Sequence, residues 1–346
     1  MKSFCIFVFL LWVQLVQAGP LPHEASSKEL QELRSQPDYF TAREYLSQAP
    51  DWTPVHDTAD FKYVLFSSES FFSEASQLRY TIAQNLPEGV KLVILVEQSG
   101  LAAAQRLYSK YISLDRVIFA TDRNIANGFW ARDAFPYPVL NAQKKLSLVS
   151  ARYYRSFGAS DSIAKALNLS MSKNSFTFVG GNLLADENGH CFSIDSERMF
   201  NTTGSDIYNA YGCKTWRQFE HLSGIGDVDE VIKPLGKGRM LTNTPAYVQA
   251  LTEAGYQVTM LPAIPNSYRT YANSLIVGQT IFMPTYGVST DEEAKRVYES
   301  FGYKVVGIRS NTLSDTYHGS IHCQTMAYPA ISEEALLKGL GLEKLN

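Results

Sequence analysis

Cys323 stands in the stretch Gly319-Ser320-Ile321-His322-Cys323-Gln324-Thr325-Met326, between Gly319 and Pro329, with an apolar-polar alternation around it. A thiol held between a glycine and a proline is a candidate nucleophile. Thiolate is the reactive form, so neighbours or an incoming cation must lower its pKa. The plainer reading is a buried structural cysteine. Three further clusters fall at the ends of strand-like runs: Trp130-Ala131-Arg132-Asp133, Gly180-Gly181-Asn182 and Gly226-Asp227-Val228-Asp229-Glu230. If the last begins a strand, Asp227 and Asp229 face the same side, because side chains alternate with a period of two. Taken singly, an Arg-Asp pair reads as a surface salt bridge and Gly-Asp as a turn.

Carboxylates combined with a C-terminal cysteine suit one chemistry well. A guanidinium is planar, resonance-stabilised and a poor electrophile. Attack on its central carbon requires carboxylates that pair with its N–H groups and fix its plane. It also requires a thiolate over that plane. A proton donor must turn the leaving nitrogen into ammonia, and a base must then activate water. The substrate's own charge stabilises the thiolate that attacks it. None of these steps calls for a metal or an organic cofactor.

The elements that position these residues begin after a leader. Met1-Lys2 is followed by an apolar run from Phe4 to Val16, and Val16-Gln17-Ala18 offers a small-x-small ending. Residues 1–18 therefore read as a secretory signal peptide cut after Ala18, too short for a membrane anchor. Residues 19–60 are polar and mixed and read as an N-terminal arm, with a short helix over Ser27–Ser35. Residues 61–346 form the main domain. Apolar residues make up 45% and charged residues 19% of the chain, enough for a sizeable core. The net charge is −3 with no Lys/Arg run, which argues against a nucleic-acid partner. With Cys5 lost in the leader, the exported chain keeps Cys191, Cys213 and Cys323. An oxidising compartment favours a Cys191–Cys213 disulfide that leaves Cys323 free. Asn168-Leu169-Ser170 and Asn201-Thr202-Thr203 are glycosylation sequons, meaningful only in a eukaryotic secretory path.

The main domain repeats a unit. Tyr63–Phe66, Lys91–Leu95, Ser274–Val277 and Thr280–Pro284 read as strands, and Ser76–Leu86, Tyr247–Ala254 and Ala294–Phe301 as helices. Gly255-Tyr256 and Gly302-Tyr303, 47 residues apart, each close a helix and open a strand. The unit is strand, strand, helix, strand, and its period indicates a repeat architecture. A β/α barrel would show one strand per helix. Two or more strands per helix predict an α/β ring of small sheets around an axis, which gathers distant loops on one central face.

These residues resemble the guanidino-group-modifying enzymes, closest to the bacterial peptidylarginine deiminases and their agmatine deiminase relatives. The resemblance covers roughly residues 61 to 330 and implies a five-bladed α/β propeller of ββαβ units, the pentein fold. Trp130 and Asp133 resemble the family's Trp-x-Arg-Asp, in which the Asp clamps the guanidinium and the Trp lines the pocket. Gly180-Gly181-Asn182 resembles its Gly-Gly-Asn turn, which brings Asn182 to the substrate. Tyr271-Ala272-Asn273-Ser274-Leu275-Ile276 resembles the segment whose Asn, here Asn273, contacts substrate. Ile321-His322-Cys323-Gln324-Thr325 resembles the nucleophile segment, and Arg155 resembles an arginine that holds the substrate's main chain.

Two departures stand out. The family reads Gly-His-x-Asp, with the His as proton shuttle and the Asp as second clamp. This chain keeps the clamp as Asp229 but has Asp227 at the His position. An Asp of ordinary pKa is deprotonated at neutral pH and a poor proton donor, unless burial and Asp229 raise it. His322, in an extended segment, should point away from Cys323, and His221 and His318 read as ordinary surface or packed histidines. Two residues after Arg155, where a second main-chain arginine would fall, stands Phe157. The resemblance implies hydrolysis of an arginine-type guanidinium, with peptidyl-arginine favoured over agmatine or free arginine. A degenerate guanidinium binder and an amidinotransferase are the alternatives. The partner expected is an arginine-containing peptide or small guanidino compound, with no membrane association of the mature chain.

Overall fold

The computed structural model describes residues 52–66, 72–96, 98–120, 130–152, 171–177, 179–195, 210–222, 226–265 and 267–330. The expected leader, the Ser27–Ser35 helix, both sequons, Arg155 and Phe157 lie outside these residues.

Strand β1 (Trp52–Pro54) comes first. β2 (Phe61–Phe66) leads through helix α1 (Ser73–Asn85) to β3 (Lys91–Leu95), and α2 (Leu101–Tyr108) leads to β4 (Val117–Ala120). The short helix α3 (Ala131–Ala134) precedes β5 (Tyr137–Asn141), β6 (Leu146–Arg152) and β7 (Met171–Thr177). Next come β8 (Leu184–Ala185), β9 (His190–Asp195) and β10 (Thr215–Glu220). β11 (Ile232–Gly236) and β12 (Arg239–Thr242) pass through α4 (Pro245–Glu253) to β13 (Gln257–Met260). β14 (Leu275–Val277) and β15 (Thr280–Thr285) pass through α5 (Thr290–Ser300) to β16 (Lys304–Arg309). Helix α6 (Asn311–Tyr317) and β17 (Thr325–Pro329) end the described fold.

These strands form five sheets, in the orders β1-β5-β6-β7, β10-β9-β8, β11-β12-β13, β14-β15-β16 and β17-β2-β3-β4. Each contains an antiparallel pair whose second strand takes a third strand in parallel, as β14, β15 and β16 do. Only a crossover can join two parallel neighbours, and α1, α4 and α5 supply three of them. The ββαβ unit read from the sequence is thus present in three of the sheets among the described residues, and the count of five sheets is consistent with a five-bladed propeller. Gly255 and Gly302 end α4 and α5 with φ of +92° and +86°, the left-handed region that a side chain would strain.

Apolar faces of helices and strands close over one another. Leu78, Ile82 and Ala83 of α1 lie in one buried cluster with Val64 and Phe66 of β2 and Leu92 and Ile94 of β3. Apart from the half-buried Lys62 and Lys91, the β2–β3–β4 runs are apolar because the sheet is parallel there and buried on both faces. Two connections hold the perimeter. β17 pairs with β2, joining the two ends of the described chain in one sheet. Cys191 on β9 and Cys213, just before β10, form the disulfide expected from the cysteine count, and Cys323 is free and buried.

Part of the segment read as an arm lies inside this fold. Residues 52–54 pair antiparallel with β5, and Asp57 is almost wholly buried. Lys233 of β11, fully buried, donates from Nζ to Asp57 Oδ2 at 2.8 Å. That ion pair ties the start of the described chain to the β11-β12-β13 sheet. Among the described residues, no helix is long and apolar enough to cross a membrane.

Candidate active site

The site is built from turns at strand ends. Residues 321–324 form a hydrogen-bonded turn that delivers the chain to β17, not the extended run expected from their alternation. Gln324 N–H donates to Ser320 C=O and Thr325 N–H to His322 C=O, and this rotates His322 and Cys323 onto neighbouring faces. Residues 228–230 likewise form a single 3₁₀ turn, with the strand starting only at Ile232. Asp227 and Asp229 therefore do not converge through strand alternation. They converge because the turn wraps them around Gly181. A Cβ placed on Gly181 would meet Asp229 Oδ2 at 3.2 Å and Asp227 Oδ2 at 3.3 Å, so a side chain there would press on both carboxylates. Gly181 N–H also donates to Asp133 Oδ1 at 2.8 Å. Three carboxylates thus gather about one glycine.

Asn273 holds Cys323. Its Oδ1 accepts from the backbone N–H of His322 at 3.0 Å and of Cys323 at 3.3 Å, and its Nδ2 donates to Cys323 Sγ at 3.1 Å. The sulfur lies 3.6 Å from Asp229 Oδ2 and 4.0 Å from Glu230 Oε1. Burial, then Asp229, Glu230 and Asp133 in that order, push the Cys323 thiol well above its ordinary value. All four effects penalise a negative sulfur. A cation placed among these carboxylates reverses the penalty. One donor atom each from Cys323, Asp229 and Glu230 lies within 4.8 Å of the others, a spacing that one bound cation can bridge.

His322 does not point away from this cluster. Its Nδ1 stands 2.6 Å from Asp229 Oδ2 and its Nε2 3.2 Å from Asp57 Oδ1. Burial works to raise the Asp57 carboxyl, but His322, Lys233 and the more distant Arg132 outweigh it and hold the group well below its usual range. Lys233, Asp57, His322 and Asp229 form a buried line of alternating partners that ends beside the sulfur. Asp229 Oδ1 has no hydrogen-bond partner among the described residues, although Asp229 is fully buried. An orphaned carboxylate oxygen is costly unless a donor arrives.

The remaining expected residues fall as follows. Trp130 is buried, and its ring fills the space where a Cβ on Gly319 would stand, 2.5 Å away. Asn182 is fully buried with its amide spent on the backbone: Nδ2 donates to Ile194 C=O, and Oδ1 accepts from Ile194 N–H and Val228 N–H. It staples the Asp227–Glu230 turn to β9, so in this structure its amide supports that turn. His221 is exposed. His318 stacks on Tyr268 with ring centroids 3.9 Å apart. Tyr268, Asp227 and Glu230 line a cavity of about 490 Å³ together with Asn243, Arg269 and Thr270. Asp57, Lys233 and Glu230 were missed by sequence reasoning. Lys233, a lone charge in Ile232–Gly236, was the one legible signal of a buried partner.

A ββαβ fold whose loops gather a cysteine with converging carboxylates agrees with the arrangement that the sequence resemblance implied. Comparison with known proteins points the same way. Residues 234–329 match the family described as Porphyromonas-type peptidyl-arginine deiminase. A Streptococcus mutans protein named for agmatine deiminase is 35% identical over 103 residues, covering 28% of this chain and 28% of that relative's length. The agmatine deiminase of C. jejuni superposes with a TM-score of 0.63 at 17% identity, over 80% of this chain and 95% of that one. The agmatine deiminase of Enterococcus faecalis gives 0.63 at 14%, over 83% and 99%. At these identities the structural likeness is one of fold. The chain therefore resembles these enzymes in sequence over its C-terminal part and in fold over most of its length.

Proposed function

We propose that the chain is an exported hydrolase that converts an arginine-type guanidinium into a ureido group and ammonia through a covalent adduct on Cys323. The observation that carries this reading is the Asp229 carboxylate. Its Oδ2 is held by His322 beside the sulfur, and its buried Oδ1 lacks a donor. A guanidinium N–H supplies that donor, and its charge stabilises the thiolate that must form 3.6 Å away. Asp133 is the other clamp. With both in place the guanidinium carbon lies within reach of Sγ, and attack becomes intramolecular in effect.

Peptidyl-arginine is the favoured substrate. The cavity beside Glu230 supports this, since it gives room for more than a guanidinium. Export is supported by the leader-like residues 1–18 and by the Cys191–Cys213 disulfide, which persists in oxidising compartments. Binding without turnover is the second reading, favoured by Asp227 standing where a proton-carrying His is expected. An assay of ammonia and ureido product on an arginyl peptide amide, agmatine and free arginine, with Cys323→Ala as control, tests both. Product from the peptide that Cys323→Ala abolishes supports hydrolysis. No product from any of the three leaves binding alone.

A further inference from the structure

We infer that Glu230 carries the proton between the Cys323 sulfur, the leaving nitrogen and the attacking water, the task that a histidine would perform at the position of Asp227. The inference rests on the reading of the site as a guanidino hydrolase.

A proton carrier here must meet two conditions. It must reach the sulfur, and it must reach the space where the leaving nitrogen departs and water enters. Asp229 meets the first, with Oδ2 3.6 Å from Sγ, but that oxygen is held by His322 and the side chain is fully buried. Asp227 meets the second, lining the cavity, while its carboxylate sits with that of Asp229 against Gly181. Glu230 meets both. Its Oε1 is 4.0 Å from Sγ and it lines the cavity. A separation of that size in a ligand-free site is one that substrate binding can tighten.

The backbone of Glu230 is pinned, which fixes where its carboxylate can swing. Its C=O accepts from Thr270 Oγ1 at 2.7 Å and from Asn243 Nδ2 at 3.1 Å, and its N–H donates to Asp227 C=O. The one cation lining the cavity among the described residues, Arg269, is committed to Asp315 through two hydrogen bonds of 2.8 and 2.7 Å.

The proton count closes. Glu230 takes the Sγ–H proton, and the thiolate forms a C–S bond to the guanidinium carbon. Glu230 returns that proton to one NH₂ group, the C–N bond breaks, and ammonia leaves a thiouronium cation on Cys323. Glu230 then takes a proton from water as the hydroxide adds to carbon. The C–S bond breaks and Glu230 reprotonates the sulfur. The remaining hydroxyl proton passes to solvent, matching the one that ammonia takes up as ammonium.

The test uses the full-length protein with Glu230→Gln and Asp227→Asn. Turnover on the arginyl peptide amide is read as kcat and KM against pH, and alkylation of Cys323 by iodoacetamide is followed over the same range. Glu230→Gln should lower kcat by about 100-fold or more. It should at the same time move the alkylation profile to lower pH, because a negative neighbour of the sulfur is gone. Slower turnover with an easier thiolate is a combination that a simple packing defect does not give when the near-ultraviolet circular dichroism is unchanged. Asp227→Asn should act mainly on KM. Near-normal kcat in Glu230→Gln overturns the inference, and so does loss of kcat confined to Asp227→Asn. If the wild type releases no ammonia, the hydrolase reading fails by itself. The alkylation arm still decides the coupling, since a profile unmoved by Glu230→Gln overturns it.

Discussion

His322 Nδ1 lies 2.6 Å from Asp229 Oδ2, and neither side chain reaches solvent. The residue next to Cys323 thus orients the carboxylate that faces its sulfur. His322 is in turn held by Asp57, and Asp57 by Lys233. Four side chains from three distant parts of the sequence set the direction in which one orphaned oxygen points.

Asp133→Asn and Asp229→Asn should each weaken kcat/KM by about 2–4 kcal/mol, roughly 30- to 1000-fold, because guanidinium N–H groups lose a charged acceptor in a buried site. Steady-state kinetics on the arginyl peptide amide measures this. Turnover of Asp133→Asn close to wild type would mean that the guanidinium sits elsewhere.

Asp57→Asn should destabilise the fold by about 3–5 kcal/mol, since it strands Lys233 and His322 without their anion. The folded carboxyl is held well below the ordinary 3.8. Its stabilisation is therefore fully present above the unfolded value and is lost as pH falls below that value, through the depressed folded one. Urea denaturation of wild type between pH 7 and 3 should show this acid-side loss, and the Asn variant should show a shallower one. Parallel slopes would place the carboxyl in an ordinary environment.

Cys323 in the free protein should resist iodoacetamide until pH exceeds the ordinary thiol value of 9.0, because burial and three carboxylates oppose the thiolate. Saturation with an unreactive guanidinium salt should shift the alkylation profile to lower pH, although the cation also shields the sulfur. The pH at half-maximal rate, and not the rate itself, is the quantity to compare. A profile that ignores the cation would separate the thiol from the guanidinium site.

Cys191→Ser with Cys213→Ser should lower the unfolding free energy by about 3 kcal/mol, the loop-closure contribution for a bridge spanning 22 residues. Turnover at low temperature should persist, because the disulfide lies in a cluster with Tyr137, Leu183 and Tyr211, away from Cys323. Loss of activity in the folded double variant would tie β9 to the site more closely than the Asn182 staple does.

Much of the architecture was legible because local signals agreed with the fold. Apolar runs such as Lys91–Leu95 became strands buried on both faces, and the Gly-Tyr pairs marked helix ends that φ requires to be glycine. Cys323, Asp133 and Asp229 were legible as types of residue in recognisable company. What the sequence hid was the turn. Alternation over 226–230 and 319–326 reads as a strand, but these segments close on themselves through hydrogen bonds between near neighbours, and the side chains rotate accordingly. That rotation made His322 a neighbour of Asp229 and set Glu230 against the sulfur. Asp57 was hidden for another reason: its partners Lys233 and His322 are 176 and 265 residues away, and no local pattern announces so distant a contact.

The pairing of β17 with β2 has a consequence for biosynthesis. Residues 61–66 leave the ribosome early, yet their sheet neighbour is 325–329, and Cys323 sits at the mouth of that late strand. A nascent chain halted before residue 319 therefore holds Asp133 and Asp229 but neither the sulfur nor the edge partner of β2. The uncovered edge of β2 is a hazard for pairing with another chain until the last strand arrives. The sulfur and the cover for that edge therefore arrive on the same late segment, so a chain cut before it lacks Cys323 while its β2 edge is open to another strand.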